Sequence, residues 1–243
     1  PRASWHTCPC CVGNIARTLL MLPTWMYAKG PDSIYVNLFA GSAVTVEGVA
    51  GTDVELVQAT DYPWKGHVAI TVNPRAPKRF SLRIRVPNRS VSNLYARTPA
   101  ANGIGPISLN GSVVKTVIEN GYAVITREWK TGDLVRFVLP LAVQRVTGSD
   151  KIAATRGRVA FQYGPLIYNI EKADQDISRA IAPGTTPTAE WNPELLGGVM
   201  TLRGTFADGS RLTAIPNYAR YNRVPRPVIV GPPAPVAPPP APG

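Results

Sequence analysis

The chain has 243 residues, 44% of them hydrophobic, so it is long enough to form one or two domains with apolar cores. No apolar run is long enough to cross a membrane, and three cysteines are too few for a disulfide-stapled scaffold. The net charge of +11 raises nucleic acid as a partner, but the basic residues are scattered and form no aromatic-interleaved motif, so we expect no nucleic-acid binding.

All three cysteines lie in one short stretch near the start of the sequence, Thr7 to Asn14, which reads TCPCCVGN. Zinc binds thiolates well and deprotonates them on binding. The helix predicted to follow favours an anion at its N-terminus, with Gly13 or Asn14 as the N-cap. The cluster therefore indicates a metal site or a nucleophile, and His6 is a further candidate ligand. The alternative, that the cysteines are simply buried apolar residues, stays open at this point.

A helix is predicted over residues 14–28, and Pro23 is expected to kink it. Its apolar residues recur at helical spacing and are numerous enough that we expect it to be buried on most sides: Ile15, Leu19, Leu22 and Met26. No second helix is predicted downstream to cover it, and no Asp or Glu precedes Asp32. We therefore expect the chain to be the C-terminal part of a longer protein.

From Ser33 onward the apolar period changes to two, which is typical of strands. Strands are predicted at residues 34–39, 43–49, 54–59, 68–72, 80–86, 113–118, 122–128 and 134–139. Tight turns are predicted at Asn110-Gly111, Asn120-Gly121 and Thr131-Gly132-Asp133. Many short strands at this spacing indicate an antiparallel β-sandwich. The polar residues 88–107 are predicted to form a loop.

A second β unit is predicted from near Asp150, with an irregular polar segment over residues 174–193. Its predicted strands are residues 158–163, 166–171, 199–206 and 211–215. Residues 231–243 are almost entirely Pro, Ala and Gly, and we expect them to be disordered. The predicted fold is therefore mainly β, with two antiparallel sandwich units, residues 30–149 and 150–230, preceded by one helix within residues 1–29.

Several motifs together resemble one enzyme family. Cys10 and Cys11 with Asn14 and Arg17 resemble the C-C-x-x-N-x-x-R segment of the β-L-arabinofuranosidases of glycoside hydrolase family 127. Later motifs of that family follow in the same order: TDYPW at 60–64, FSLRIRVP at 80–87, WKTGD at 129–133, GRVA through GPLIY at 157–168, and AIP at 214–216 with Asn222-Arg223. The resemblance covers almost everything except the Pro-rich end.

The resemblance implies an (α/α)6 barrel that carries the active site and is followed by β-sandwich domains. Residues 1–29 would then be the last part of that barrel. Cys10 would be the nucleophile and Cys11 a zinc ligand, with Cys10 also contacting the Zn²⁺ ion. The remaining ligands, a Glu and a Cys, and the acid/base Glu would come from upstream segments. Cys8 matches no ligand of the family, and Val12-Gly13 replaces the family's frequent Pro-Pro.

The expected function is that of the C-terminal part of a retaining glycoside hydrolase that releases β-L-arabinofuranosyl or a related sugar and is inactive by itself. The alternative is a non-catalytic β-sandwich module that binds carbohydrate or is structural. A thiol-redox protein is disfavoured, because it needs an exposed cysteine pair. Tyr62 and Trp64 either stack on a sugar or pack a domain interface, and the interface is favoured. The expected partner is a carbohydrate substrate, with no membrane partner, and a homodimer is left open.

Overall fold

The computed structural model describes residues 10–88 and 92–221, which form a mainly β protein with one α-helix, as predicted. Cys8, His6, Asn222-Arg223 and the predicted disordered end all lie outside the described residues. The elements are α1 (Cys10–Met26), β1 (Tyr27–Gly30), β2 (Ser33–Val36), β3 (Ser42–Val49), β4 (Thr52–Thr60), β5 (His67–Pro74), β6 (Lys78–Arg85), β7 (Tyr95–Thr98), β8 (Ser108–Leu109), β9 (Ser112–Val113), β10 (Val117–Glu119), β11 (Tyr122–Trp129), β12 (Asp133–Val138), β13 (Val143–Gly148), β14 (Val159–Tyr163), β15 (Leu166–Ile170), β16 (Thr188–Asn192), β17 (Val199–Thr205) and β18 (Arg211–Pro216).

Helix α1 begins earlier than predicted and is exposed. Among its residues only Met26 is buried, and Leu20 is 81% exposed. The described residues thus leave this apolar surface uncovered, and its burial against another part of a longer protein stays a prediction. Its C-terminal end is held by Asn37, whose backbone N–H donates to the Met26 carbonyl and whose side chain donates to the Trp25 carbonyl. Among the residues that the structure describes, no helix combines the length and apolarity that crossing a bilayer requires.

Two sheets pack face to face in the first β unit. One has the strand order β1-β2-β6-β11-β10 and the other β3-β4-β5-β12-β8-β9, with neighbours antiparallel except the parallel pair β2 and β6. Alternate residues of β6, among them Phe80 and Leu82, point into a core that they share with Leu56 of β4 and Val135 of β12. This alternation follows from the period-two pattern of the sequence, because successive side chains of a strand point to opposite faces.

The two Asn-Gly pairs form the tight turns that the sequence predicts. Asn110 and Gly111 connect β8 to β9 with φ angles of 50° and 89°, and Asn120 and Gly121 connect β10 to β11 with 50° and 82°. Both central residues of such a turn need positive φ, which Asn tolerates and Gly adopts freely. The predicted strand over residues 113–118 is divided between β9 and β10.

The turn between β11 and β12 anchors one corner of the first unit. The Asp133 carboxylate accepts hydrogen bonds from Asn110 Nδ2 at 2.8 Å and from the Lys130 backbone N–H at 2.9 Å, and Arg127 lies 3.8 Å from it. Burial works to raise the pKa of Asp133, but these hydrogen bonds and the positive charges outweigh burial, so the pKa lies below its usual value. The ionised carboxylate therefore stabilises the folded chain.

We expect the Asp133→Asn variant to lose this contribution. Because the folded-state pKa is depressed, the stabilisation is present above the unfolded-state pKa of about 3.9 and disappears as the pH falls through the lower folded-state value. The wild-type free energy of unfolding should thus decrease below about pH 4 more steeply than that of the variant, which should be less stable by about 1–3 kcal/mol at neutral pH. Urea unfolding at several pH values measures both effects, and parallel pH profiles would contradict the assignment.

The second unit contains one seven-stranded antiparallel sheet in the described residues, with the order β16-β17-β18-β15-β14-β13-β7. We predicted a second sandwich here. No second sheet covers the core of this unit in the described residues. Instead, Ile181 of the segment 171–187 packs against the core that includes Phe161, Leu202 and Leu212. The sheet includes β13, which lies before the predicted boundary at residue 150, and β7, which lies in the predicted loop 88–107.

Candidate active site

Cys10 and Cys11 occupy the first turn of α1, and both are exposed. Their sulfur atoms are 4.0 Å apart. The first turn carries no acidic residue, so nothing in it opposes a negative charge on either sulfur. The unpaired N–H groups at the start of a helix favour such a charge. The start of α1 thus presents two accessible sulfur atoms close together.

Asn14 and Arg17 lie on the same helical stripe as Cys10, four and seven residues further along the chain. Arg17 Nη1 donates a hydrogen bond to Asn14 Oδ1 at 2.8 Å. The expectation that Gly13 or Asn14 caps the helix is wrong, because α1 already includes Cys10 and both residues lie inside it. The stripe presents a thiol, an amide and a guanidinium on one exposed face.

The separation of the two sulfurs fits a shared zinc ion. Zn–S bonds of about 2.3 Å in a tetrahedral arrangement place two sulfur ligands about 3.8 Å apart. The observed distance between the Cys10 and Cys11 sulfurs is 4.0 Å. Within the described part of the chain, no group of three or more His, Cys, Asp or Glu side chains could hold a metal. Zinc usually needs about four ligands, so these two cysteines alone do not make a complete zinc site.

The segment around Trp64 lies where the two β units meet. Tyr62 packs its ring edge-on against Phe39 of the first core at 6.4 Å between centroids, while Tyr163 of β14 donates a hydrogen bond to the Trp64 carbonyl at 3.3 Å. The Trp64 ring contacts the Trp191 ring edge-on, with their centroids 5.8 Å apart. Trp191 lies in the segment 174–193, which is predicted to be irregular, and no local pattern connects it with Trp64. The segment thus contributes to the junction between the units, as favoured above.

Family comparisons divide the chain into the same two units. The model of the β-L-arabinofuranosidase GH127 middle domain matches residues 33–141. The model of the glycoside hydrolase family 127 C-terminal domain matches residues 143–230. The division falls just before β13, in agreement with the strand pairing that assigns β13 to the second sheet.

Individual relatives agree with the family models. The non-reducing end β-L-arabinofuranosidase of Bifidobacterium longum subsp. longum is 29% identical over 212 residues, which cover 83% of this chain and 30% of that protein. A GH127 β-L-arabinofuranosidase structure from Geobacillus stearothermophilus T6 is 29% identical with a TM-score of 0.80, covering 91% of this chain and 37% of that one. A second GH127 β-arabinofuranosidase structure is 28% identical with a TM-score of 0.83, covering 91% and 38%.

The chain thus spans less than two fifths of the length of these relatives, at 30% to 38%. The two domain models adjoin in the order that the resemblance of the motifs implies, and the structural similarity extends over both β units. The chain belongs to glycoside hydrolase family 127, of which it carries the middle and C-terminal domains.

Proposed function

We propose that this chain is part of a retaining glycoside hydrolase that releases β-L-arabinofuranosyl or a related sugar, with Cys10 as its nucleophile. The observation that carries the proposal is the exposed Cys10–Cys11 pair, with sulfurs 4.0 Å apart, in a chain of this family. The matching relatives are named as β-L-arabinofuranosidases. The exposure of both sulfurs removes our argument against a redox pair, so the proposal of a nucleophile rests on membership in the family.

The proposed reaction has two displacements at the anomeric carbon. In the first, Cys10 Sγ forms a bond to that carbon while the glycosidic C–O bond breaks, and an acid/base carboxylic acid protonates the leaving oxygen. In the second, the resulting carboxylate takes a proton from water, the water oxygen attacks the same carbon, and the C–S bond breaks. Two inversions give net retention of configuration.

Cys11 would hold a zinc ion together with Cys10, completed by ligands from other segments. The chemistry that bound zinc supplies is to keep the Cys10 thiol deprotonated and its sulfur fixed in place. Arg17 and Asn14 lie on the Cys10 stripe, and their hydrogen bond orients both side chains toward the same face of α1. In this proposal the two side chains are hydrogen-bonding partners for the hydroxyls of a sugar bound at Cys10.

The exposed apolar face of α1 supports the barrel that the family resemblance implies. Val12, Ile15, Leu19 and Leu20 are each more than half exposed, and an apolar surface of this kind normally packs against other residues. We propose that it packs inside an (α/α)6 helical domain, which also supplies the acid/base carboxylate. Because this proposal assigns the acid/base carboxylate to that helical domain, we expect the 243-residue chain by itself to release no sugar from a chromogenic β-L-arabinofuranoside.

The zinc assignment is tested by metal analysis of the enzyme that carries this chain. We expect about one zinc ion per protein in the wild type and well under half of that in the Cys11→Ser variant, because one sulfur ligand is lost. Cys8→Ser is the matched control, since no role is assigned to Cys8, and it should retain the wild-type zinc content. Equal zinc content in the Cys11→Ser and wild-type proteins would contradict the assignment.

A further inference from the structure

A cavity with an aromatic lining lies away from α1, at the junction between the two β units. Asp61, Trp64 and Lys65 of the β4–β5 turn, together with Trp191 of β16 and Met200 of β17, line an open cavity of about 480 Å³. We call these five residues the tryptophan cleft. None of them belongs to α1, and the reaction proposed for Cys10 uses none of them.

The two indole rings of the cleft are held in place. The Trp191 ring is 49% exposed and lies directly against Gly198, where a β-carbon would come within 2.9 Å of ring atom Cη2 and closer still to Cζ2. Gly198 has a φ of +106°, a conformation that other residues rarely adopt. The Trp64 ring meets Trp191 at an interplanar angle of 64°. Glycine at position 198 thus lets the Trp191 ring pack against the backbone there, while about half of the side chain stays exposed.

The turn that carries Trp64 is fixed by its own hydrogen bonds. The backbone N–H groups of Trp64 and Lys65 both donate to the Asp61 carbonyl, at 2.8 and 3.1 Å. Tyr163 donates to the Trp64 carbonyl from the second unit. A site whose backbone is already ordered loses little conformational entropy when a ligand binds.

Polar groups lie beside the rings. The Lys65 ammonium is 3.0 Å from the Asp61 carboxylate, and both side chains are mostly exposed. The same two residues also line a second cavity, of about 510 Å³, whose walls include His67 and Arg136. The tryptophan cleft and this second cavity therefore share the charged pair Asp61 and Lys65 in their walls.

We propose that the two cavities together bind an oligosaccharide, with one sugar ring against Trp191 and neighbouring sugars over Asp61 and Lys65 toward Arg136. A sugar presents a face of C–H groups, which suits a flat aromatic ring, and a rim of hydroxyls, which suits carboxylate, ammonium and guanidinium groups. Apolar walls with a few placed polar groups are the usual composition of a ligand site. Membership in a glycoside hydrolase family favours carbohydrate over other ligands that combine an apolar face with a polar rim.

The test is a titration of the 243-residue chain with a β-L-arabinofuranosyl trisaccharide, in which binding is measured by calorimetry and by tryptophan fluorescence. We expect saturable binding with a dissociation constant on the order of 1 mM. Trp191→Ala and Trp64→Ala should each weaken it at least about tenfold. Gly198→Ala should weaken it as well, because it displaces the Trp191 ring without removing it. Trp25→Ala is the matched control, since Trp25 is 45% exposed on α1, and it should bind as the wild type does.

The outcome is independent of the chemistry proposed for Cys10, because binding is measured without turnover. Binding that survives in Trp191→Ala and Trp64→Ala but disappears in Arg17→Ala would overturn the proposal by assigning the sugar to α1. Absence of saturable binding up to about 10 mM by a chain that unfolds cooperatively would also overturn it. The proposal would also be overturned if the Trp191→Ala and Trp64→Ala variants lowered the melting temperature but bound the sugar normally. The two rings would then stabilise only the junction between the β units.

Discussion

Replacing Cys10 by serine is expected to lower the rate of sugar release by about 10³-fold or more in the enzyme that carries this chain. A serine hydroxyl is not ionised at neutral pH and attacks the anomeric carbon far more slowly than a thiolate. The loss should lie in kcat, with KM changed little, because the sulfur forms its bond only as the transition state is approached. Steady-state kinetics on a chromogenic β-L-arabinofuranoside measure both constants.

The Cys8→Ser variant is the control for this experiment, and we expect it to retain kcat within about twofold of the wild-type value. Correct folding of the Cys10→Ser variant is checked by its melting temperature and its zinc content, because Cys10 is also proposed to contact the zinc ion. A Cys10→Ser enzyme that keeps more than about a tenth of the wild-type kcat would rule out Cys10 as the nucleophile.

The Trp129→Ala variant is expected to show the largest loss of stability among single substitutions in the first unit, about 3–5 kcal/mol. Trp129 is fully buried and stacks on Phe80 with 5.8 Å between ring centroids. Its Nε1 donates to the Phe80 carbonyl at 3.0 Å. Truncation therefore leaves both a cavity and a buried carbonyl without its donor. Urea unfolding of the 243-residue chain gives the difference in free energy.

Two further variants separate the causes of that loss. Trp129→Phe keeps much of the ring but removes the N–H group, so we expect a smaller loss of about 1–2 kcal/mol. Trp25→Ala removes an exposed tryptophan and should change stability by less than about 0.5 kcal/mol. If Trp129→Ala lowers the free energy of unfolding by less than about 1 kcal/mol, the contacts of Trp129 at the end of β11 do not support the sandwich core.

The core strands were predictable because one face of each is buried. In β6, Phe80, Leu82 and Ile84 alternate with Ser81, Arg83 and Arg85, and the apolar set is the one that the structure buries. The Asn-Gly turns were predictable for a local reason, since their sequence determines the allowed φ angles. Both signals are present within a few residues of chain.

The missed strands are those without a one-sided apolar pattern. β7 and β16 are the two edges of the seven-stranded sheet and have mostly exposed side chains. Their pairing is made by backbone groups, which no side-chain period reveals. β13 alternates Val143 and Arg145 with the buried residues Gln144 and Val146, so a polar residue occupies a core position. The tryptophan cleft was unpredictable because Trp64 and Trp191 are distant in sequence.

The candidate active site was predictable only in part. The adjacent cysteines and the family motifs identified Cys10 and Cys11, but they placed the start of the helix after these residues instead of at them. The exposure of α1 could not be read from its composition, because an apolar helix has the same pattern whether or not the residues that cover it are present.

The central claim is that Cys10 Sγ bonds to the anomeric carbon during turnover. Rapid acid quenching of the enzyme with a slow β-L-arabinofuranoside substrate, followed by tandem mass spectrometry of the peptide that contains Cys8, Cys10 and Cys11, tests it directly. Our account predicts one pentosyl group attached to Cys10, absent from the Cys10→Ser variant. A pentosyl group on a carboxylate elsewhere, with Cys10 unmodified during active turnover, would contradict it.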